Sequence, residues 1–148
     1  MLPVAILLMV VCCSGCYEIT DGPCRVEYGE AVLHVSSVRD ATTNEEIADI
    51  AISRIEFDGR SYLLVFGLTH SQNIELRDGL LICSVPFSFG TDEGTYVLAV
   101  SAEGYIERDL EIVDVHYSVH QEGPGCPLYL NGGTRVQFTM GRMKGHAS

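Results

Sequence analysis

The sequence predicts an all-β domain, a sandwich or barrel of about seven short strands. Three observations predict it. Apolar residues recur with period two in several windows, the spacing of a strand with one buried face. Those windows are short and are cut apart by glycine, proline, asparagine and aspartate at turn positions. Beyond the N-terminal run, no window keeps helical spacing for long, and the nearest, residues 44–50, is too short to stand alone.

Residues 32–38 are the first strand candidate. Their phase is open, because Leu33 and Val35 face one way while Val32 and Val38 face the other. Asp40-Ala41-Thr42-Thr43-Asn44 has turn chemistry. Residues 47–57 follow as a strand. Ile50 and Ile52 keep one phase, Ile55 and Phe57 the other, so a bulge is expected at Ser53-Arg54. Asp58-Gly59 predicts a hairpin turn, with residues 62–66 returning as a nearly all-apolar strand. Residues 67–79 have no period and read as a surface loop ending in Asp78-Gly79. Residues 80–85 form a short strand, and residues 86–93 lead into the strongest pattern in the chain. There Tyr96, Leu98, Val100 and Ala102 alternate with Thr95, Val97, Ala99 and Ser101, between Gly94 and Gly104. Ile106, Arg108, Leu110 and Ile112 continue the alternation. Residues 116–127 read as a loop, and Leu128-Tyr129-Leu130 with Asn131-Gly132 as a small hairpin. Residues 134–140 are the cleanest strand, with Val136, Phe138 and Met140 inward. The expected core is Tyr96, Leu98, Val100, Leu110, Ile112, Val136 and Phe138.

The 148 residues amount to one domain, and with 47% of them apolar a packed core is expected. The net charge is −11, and the nine lysines and arginines form no basic stripe. Nucleic acid is therefore not a partner; the acidity gives a soluble, self-repelling surface. Residues 1–11 are apolar and uncharged. They are shorter than the roughly 20 residues that span a bilayer and match the apolar region of a secretory signal. Ser14-Gly15-Cys16 then resembles the end of a bacterial lipobox, which implies cleavage before Cys16 and its acylation. Ordinary cleaved secretion and a buried apolar segment are the alternatives. The expected organisation is a signal peptide over residues 1–15, a lipid-anchored tether over 16–30, the sandwich over 31–140 and a polar tail over 141–148.

Val38-x-Asp40-Ala41-x-Thr43, then Ile47 and a strand, then Gly94-Thr95-Tyr96-x-Leu98-x-Val100-x-Ala102-x-Gly104-Tyr105 resembles the carboxypeptidase regulatory-like domain. The resemblance spans residues 30–140. It implies a transthyretin-like (prealbumin-like), Ig-type sandwich of seven mainly antiparallel strands, a fold common in bacterial surface lipoproteins. It also implies that Tyr96 anchors its strand in the core and that Gly104-Tyr105 makes the corner to the next strand. In that family the module accompanies a zinc peptidase without being one. The peptidase needs a His-x-x-Glu pair, and none of His34, His70, His116, His120 or His146 is followed by glutamate at that spacing.

Other chemistry finds little support. His116 and His120 would share a face only on a helix, and they fall at a strand end and loop; solvated histidines are the simpler reading than a weak metal pair. His120-Gln121-Glu122 before Cys126 lacks the second cysteine that a zinc deaminase needs. Asp92-Glu93 could touch calcium, but calcium takes six or more oxygens and a turn with solvated acids is simpler. No serine sits in a glycine-x-serine-x-glycine elbow. The only lysine, Lys144, lies in the tail, away from any internal isopeptide cross-link.

Beyond Cys16, the mature chain holds Cys24, Cys83 and Cys126 in an oxidising compartment. Similar lipoproteins carry cysteines at the places of the last two, so the resemblance implies a Cys83–Cys126 bridge. It would close a loop of about 40 residues, worth about 4 kcal/mol on the chain-entropy account. A Cys24–Cys126 bridge, leaving Cys83 buried as a small hydrophobe, stays open.

These readings point to a non-catalytic, lipid-anchored module of the bacterial cell envelope, at the outer membrane or cell surface, with a structural or protein-interaction role. No cofactor, metal or catalytic group is expected. Its partners would be the membrane through Cys16 and an envelope protein or glycan. The alternative is a small-ligand or glycan-binding sandwich, which would need an exposed aromatic cluster; Tyr62, Tyr117 and Tyr129 are the candidates.

Overall fold

In the computed structural model, which describes residues 25–122 and 128–145, the fold is all-β. The strands are β1 (Val26–Tyr28), β2 (Leu33–Asp40), β3 (Asp49–Phe57), β4 (Arg60–Tyr62), β5 (Gln72–Arg77), β6 (Leu80–Phe89), β7 (Gly94–Ser101), β8 (Arg108–Val115), β9 (Val119–Glu122), β10 (Leu128–Asn131) and β11 (Thr134–Met140). A single-turn helix, α1 (Leu64–Gly67), lies between β4 and β5. The larger sheet has the order β11-β2-β6-β3-β7-β8, with β4 paired to β3 and β5 to β6, and the smaller has β1-β10-β9. Together they form a sandwich close to a barrel. Pairing is antiparallel throughout except for β11 on β2 and β1 on β10.

Local chemistry explains most boundaries. The expected bulge is present: the register of β3 against β7 shifts between Ile52 and Arg54, so Ile50, Ile52 and Ile55 can all face the core. Asp58 and Gly59 both take positive φ (49° and 77°) and turn β3 into β4. Asp78 and Gly79 do the same (51° and 77°) between β5 and β6. Gly94 is required by close approach: a Cβ there would lie 2.6 Å from Asp58 Oδ1 and 2.8 Å from the Phe57 ring.

The strand count exceeds seven for identifiable reasons. Residues 62–66 do not return as a strand; the apolar run breaks after Tyr62 and Leu64–Gly67 coils into α1. Gly67 permits this because it packs where a Cβ would meet Leu81 Cδ1 at 2.9 Å. Residues 67–79 are not all loop, since β5 forms there as an edge strand with only Ile74 turned toward the core. β6 runs past Val85 to Phe89, and Pro86 is accommodated where β6 changes partner from β3 to β2. β9 occupies part of the expected 116–127 loop. β10 pairs with β9 and β1, not with β11. The expected tether to residue 30 ends in β1, which belongs to the smaller sheet. The tail is also held: Ile106 N–H donates to the Gly141 carbonyl at 2.9 Å and Met143 N–H to Gly104 at 3.1 Å.

Of the expected core, Tyr96, Leu98, Val100, Ile112 and Phe138 are buried, while Leu110 and Val136 are half-buried. Tyr96 is fully enclosed, with Phe57 at 5.0 Å and Phe89 at 6.1 Å between ring centroids, and its hydroxyl donates to the Asp92 carbonyl at 2.7 Å. Emptying that site is expected to cost about 3–5 kcal/mol, so Tyr96→Ala should shift the urea midpoint far more than Tyr96→Phe, which keeps the ring. Equal shifts for both would mean the ring packing contributes nothing.

Candidate functional site

The Asp40 carboxylate ends β2 and is nearly inaccessible to solvent. The N–H groups of Thr42 (2.7 Å) and Thr43 (2.9 Å) donate to Oδ1, as an aspartate at the head of a turn allows. Oδ2 accepts from the Tyr105 hydroxyl (3.0 Å) and from Arg142 Nε. The Thr43 N–H and the Arg142 guanidinium outweigh burial and hold this carboxyl well below the usual carboxylate range. Both halves of the motif that carries the family resemblance, Asp40-Ala41-x-Thr43 and Gly104-Tyr105, thus meet in one bonded group.

The three expected ligand-binding tyrosines do not form one exposed cluster. Tyr117 is completely buried: its hydroxyl donates to the Glu30 carbonyl at 2.9 Å, its ring packs tilted against Tyr28 at 6.0 Å between centroids, and it joins the smaller sheet to the core. Tyr62 is half-buried among Phe57, Phe66 and Tyr96, and its hydroxyl donates to Asp92 Oδ2 at 2.6 Å. Tyr129 is exposed on β10, opposite Glu27 and Gln121.

Asp92 and Glu93 are engaged with protein partners. Asp92 takes the Tyr62 hydroxyl; Glu93 Oε1 accepts from the Tyr117 N–H (2.8 Å) and faces His120 Nε2 (2.9 Å). Burial pushes Glu93 up, but those two partners outweigh it and its carboxyl lies below its ordinary value. His116 Nδ1 lies 2.6 Å from the Asp114 carbonyl. Among the described residues no three histidine, cysteine, aspartate or glutamate side chains could hold a metal together.

Cys83 is a free, fully buried thiol in β6, between Ile50 of β3 and Ile74 of β5. Its Sγ donates to the Leu81 carbonyl at 3.6 Å, and burial pushes it up to about 12. It sits as the small core hydrophobe that the Cys24–Cys126 alternative requires. Cys24, Cys126 and Cys16, the residue expected to be acylated, lie outside the described residues.

Two surface features were not read from the sequence. Leu63, Val65 and Phe66 stand 61%, 56% and 48% exposed around α1. A groove of about 500 Å³ lies across β11, β2, β6 and β5 of the larger sheet, bounded by Glu30, His34, His70, Gln72, Ser88 and Arg135. Its floor comes from cross-strand register. Arg135 of β11 is opposite His34 of β2, His34 is opposite Ser88 of β6, and Ser88 is opposite Gln72 of β5.

Two pH responses follow. Unfolded, Asp40 titrates near 3.8; folded, it titrates well below that. Its stabilisation is therefore present above about pH 4 and lost as pH falls below it. Asp40→Asn is expected to lower the urea midpoint at pH 7 and to flatten its acid limb; an unchanged acid limb would remove Asp40 as its source. Cys83 works in the opposite sense. The unfolded thiol ionises near pH 9 and the folded one near 12, so stability falls as pH rises through that window. Cys83 should resist maleimide in the native protein and react on unfolding; a Cys83–Cys126 peptide in a non-reducing map would contradict the free thiol.

No family model matches this chain, and the comparisons with curated proteins and with solved structures likewise find no match.

Proposed function

We propose that this chain is a non-catalytic, lipid-anchored module of the cell envelope, built on the carboxypeptidase regulatory-like plan, with a structural or protein-interaction role. The observation that carries this reading is the use made of the motif residues. Asp40 and Tyr105 share a hydrogen bond of 3.0 Å, and each lies in one half of the motif. Their polar groups hold a turn, a corner and the C-terminal segment together; they are spent on the scaffold. Glu30 is spent in the same way, accepting from the N–H groups of Gly132 and Gly133. The exposed Leu63, Val65 and Phe66 offer an envelope protein an apolar contact, the kind of patch that marks interaction surfaces.

The anchor is the testable part. Acyl chains, not side chains, would hold the protein to the membrane. Cys16→Ser is expected to move the protein from the membrane to the soluble fraction, while the wild type carries a lipid mass on the peptide that begins at Cys16. A wild-type peptide without that mass would overturn the reading.

A further inference from the structure

The groove between β2, β5, β6 and β11 presents a row of different polar groups. Arg135, His34, Ser88 and Gln72 are successive cross-strand neighbours. Strands lie about 4.8 Å apart, so the row extends for about 14 Å across the sheet. Val35 and Phe87, one position along, face the core, so the row lies on the opposite face of the sheet. Ser88 is buried at its floor, whereas Arg135 and Gln72 are exposed at either end.

The groups are held in place and retain capacity for a ligand. Glu30 Oε2 lies 3.0 Å from His34 Nε2, which also donates to the Ala31 carbonyl at 2.9 Å, so the ring is fixed by that nitrogen. Glu30 Oε1 faces the Gly132 and Gly133 N–H groups, so its charge is engaged at the groove wall. Asn73 donates to the Pro86 carbonyl at 2.7 Å through Nδ2, which leaves its Oδ1 as an acceptor. Among the described residues no carboxylate pairs with Arg135. The His70 ring packs against Tyr28 at 5.5 Å and supplies a flat, less polar wall.

We propose that this groove binds a short saccharide bearing a carboxylate, with the carboxylate on Arg135 and hydroxyls on Ser88, Gln72 and Asn73. The position, chemistry, size and charge of the groove select that class. The row runs across the strands over the face of the sheet, where side chains and not the in-plane backbone N–H and C=O groups point outward. An extended peptide, which binds a sheet by its backbone, has nothing to pair with there. Side-chain hydroxyl, amide and guanidinium groups spaced along a line suit a ligand with hydroxyls along its length. The volume of about 500 Å³ lies in the range of small-molecule sites, yet the lining is too polar for an acyl chain. Arg135 is the fixed cation at one end, and it pairs with carboxylates in a two-point geometry. The net charge of −11 opposes a long polyanion but tolerates a short acidic sugar with one carboxylate held at a local cation.

This inference goes beyond the anchored-module reading and stands without the lipid at Cys16. The test is a titration of the ¹⁵N-labelled full chain with digalacturonic acid and, separately, with neutral cellobiose, both to millimolar concentration. Digalacturonic acid is expected to move the amide signals of His34, Gln72, Ser88 and Arg135. Arg135→Gln should weaken its binding about tenfold, the loss of one charge-assisted pair, and leave cellobiose binding unchanged. Gln72→Ala should weaken both sugars. Arg135 and Gln72 are exposed, so neither variant disturbs the core. The proposal is overturned if digalacturonic acid leaves these signals in place, moves signals elsewhere instead, or binds Arg135→Gln as tightly as wild type.

Discussion

The Asp40 carboxylate is the interaction on which the arrangement of the turn after β2, the corner after β7 and the segment after β11 depends. It sits at the end of β2, deep in the chain's first half, and its partners are the next turn, the corner after β7 and a residue beyond β11. A buried carboxylate is tolerated only where donors replace its water. Here the donors come from four residues in three segments, each of which would otherwise be a loose connection. Tyr105 arrives there because Gly104 takes φ +84° and turns the chain back after β7. Arg142 arrives because β11 lies parallel to β2 and ends beside it, Met140 opposite Asp40. Removing the charge would loosen three connections at once, which a surface ion pair does not do.

The fold was legible where side-chain period and turn chemistry agree. Ser53-Arg54 marks a bulge because the isoleucines on either side keep opposite phases, and Asp58-Gly59 marks a turn because both residues accept positive φ. β5 was not legible: in Gln72–Arg77 only Ile74 packs against the core, so an edge strand shows no alternation to read. The run from Tyr62 to Phe66 was ambiguous, since an apolar stretch without period fits either a strand or a helical turn. What decides it is Gly67, whose missing side chain lets α1 lie against Leu81 and Ile55. Pro86 pointed to the end of a strand, but β6 changes neighbours there and continues.

The candidate sites were legible to a lesser degree, for a related reason. Tyr117 reads as a loop tyrosine, yet the loop folds under the smaller sheet and its hydroxyl finds the Glu30 carbonyl, 87 positions away. The groove offers no local signal at all. Its four groups belong to β11, β2, β6 and β5, and only register places them side by side. Spacing along the chain carries information about turns, helices and hairpins; it carries none about which distant strands become neighbours.

The parallel pairing of β11 with β2 has a further consequence, for the order of events in folding. Ser36 bonds to the Val136 carbonyl across 100 residues and Arg142 reaches Asp40 across 102. Such contacts come with a large loop-closure entropy and make folding slow relative to local hairpins. β2 can pair with β6 once residue 89 exists, but its other edge stays open until the final strand exists. A growing chain of this topology therefore keeps one edge of β2 unpaired until synthesis is nearly over, even after the pairings among β3 to β8 have formed.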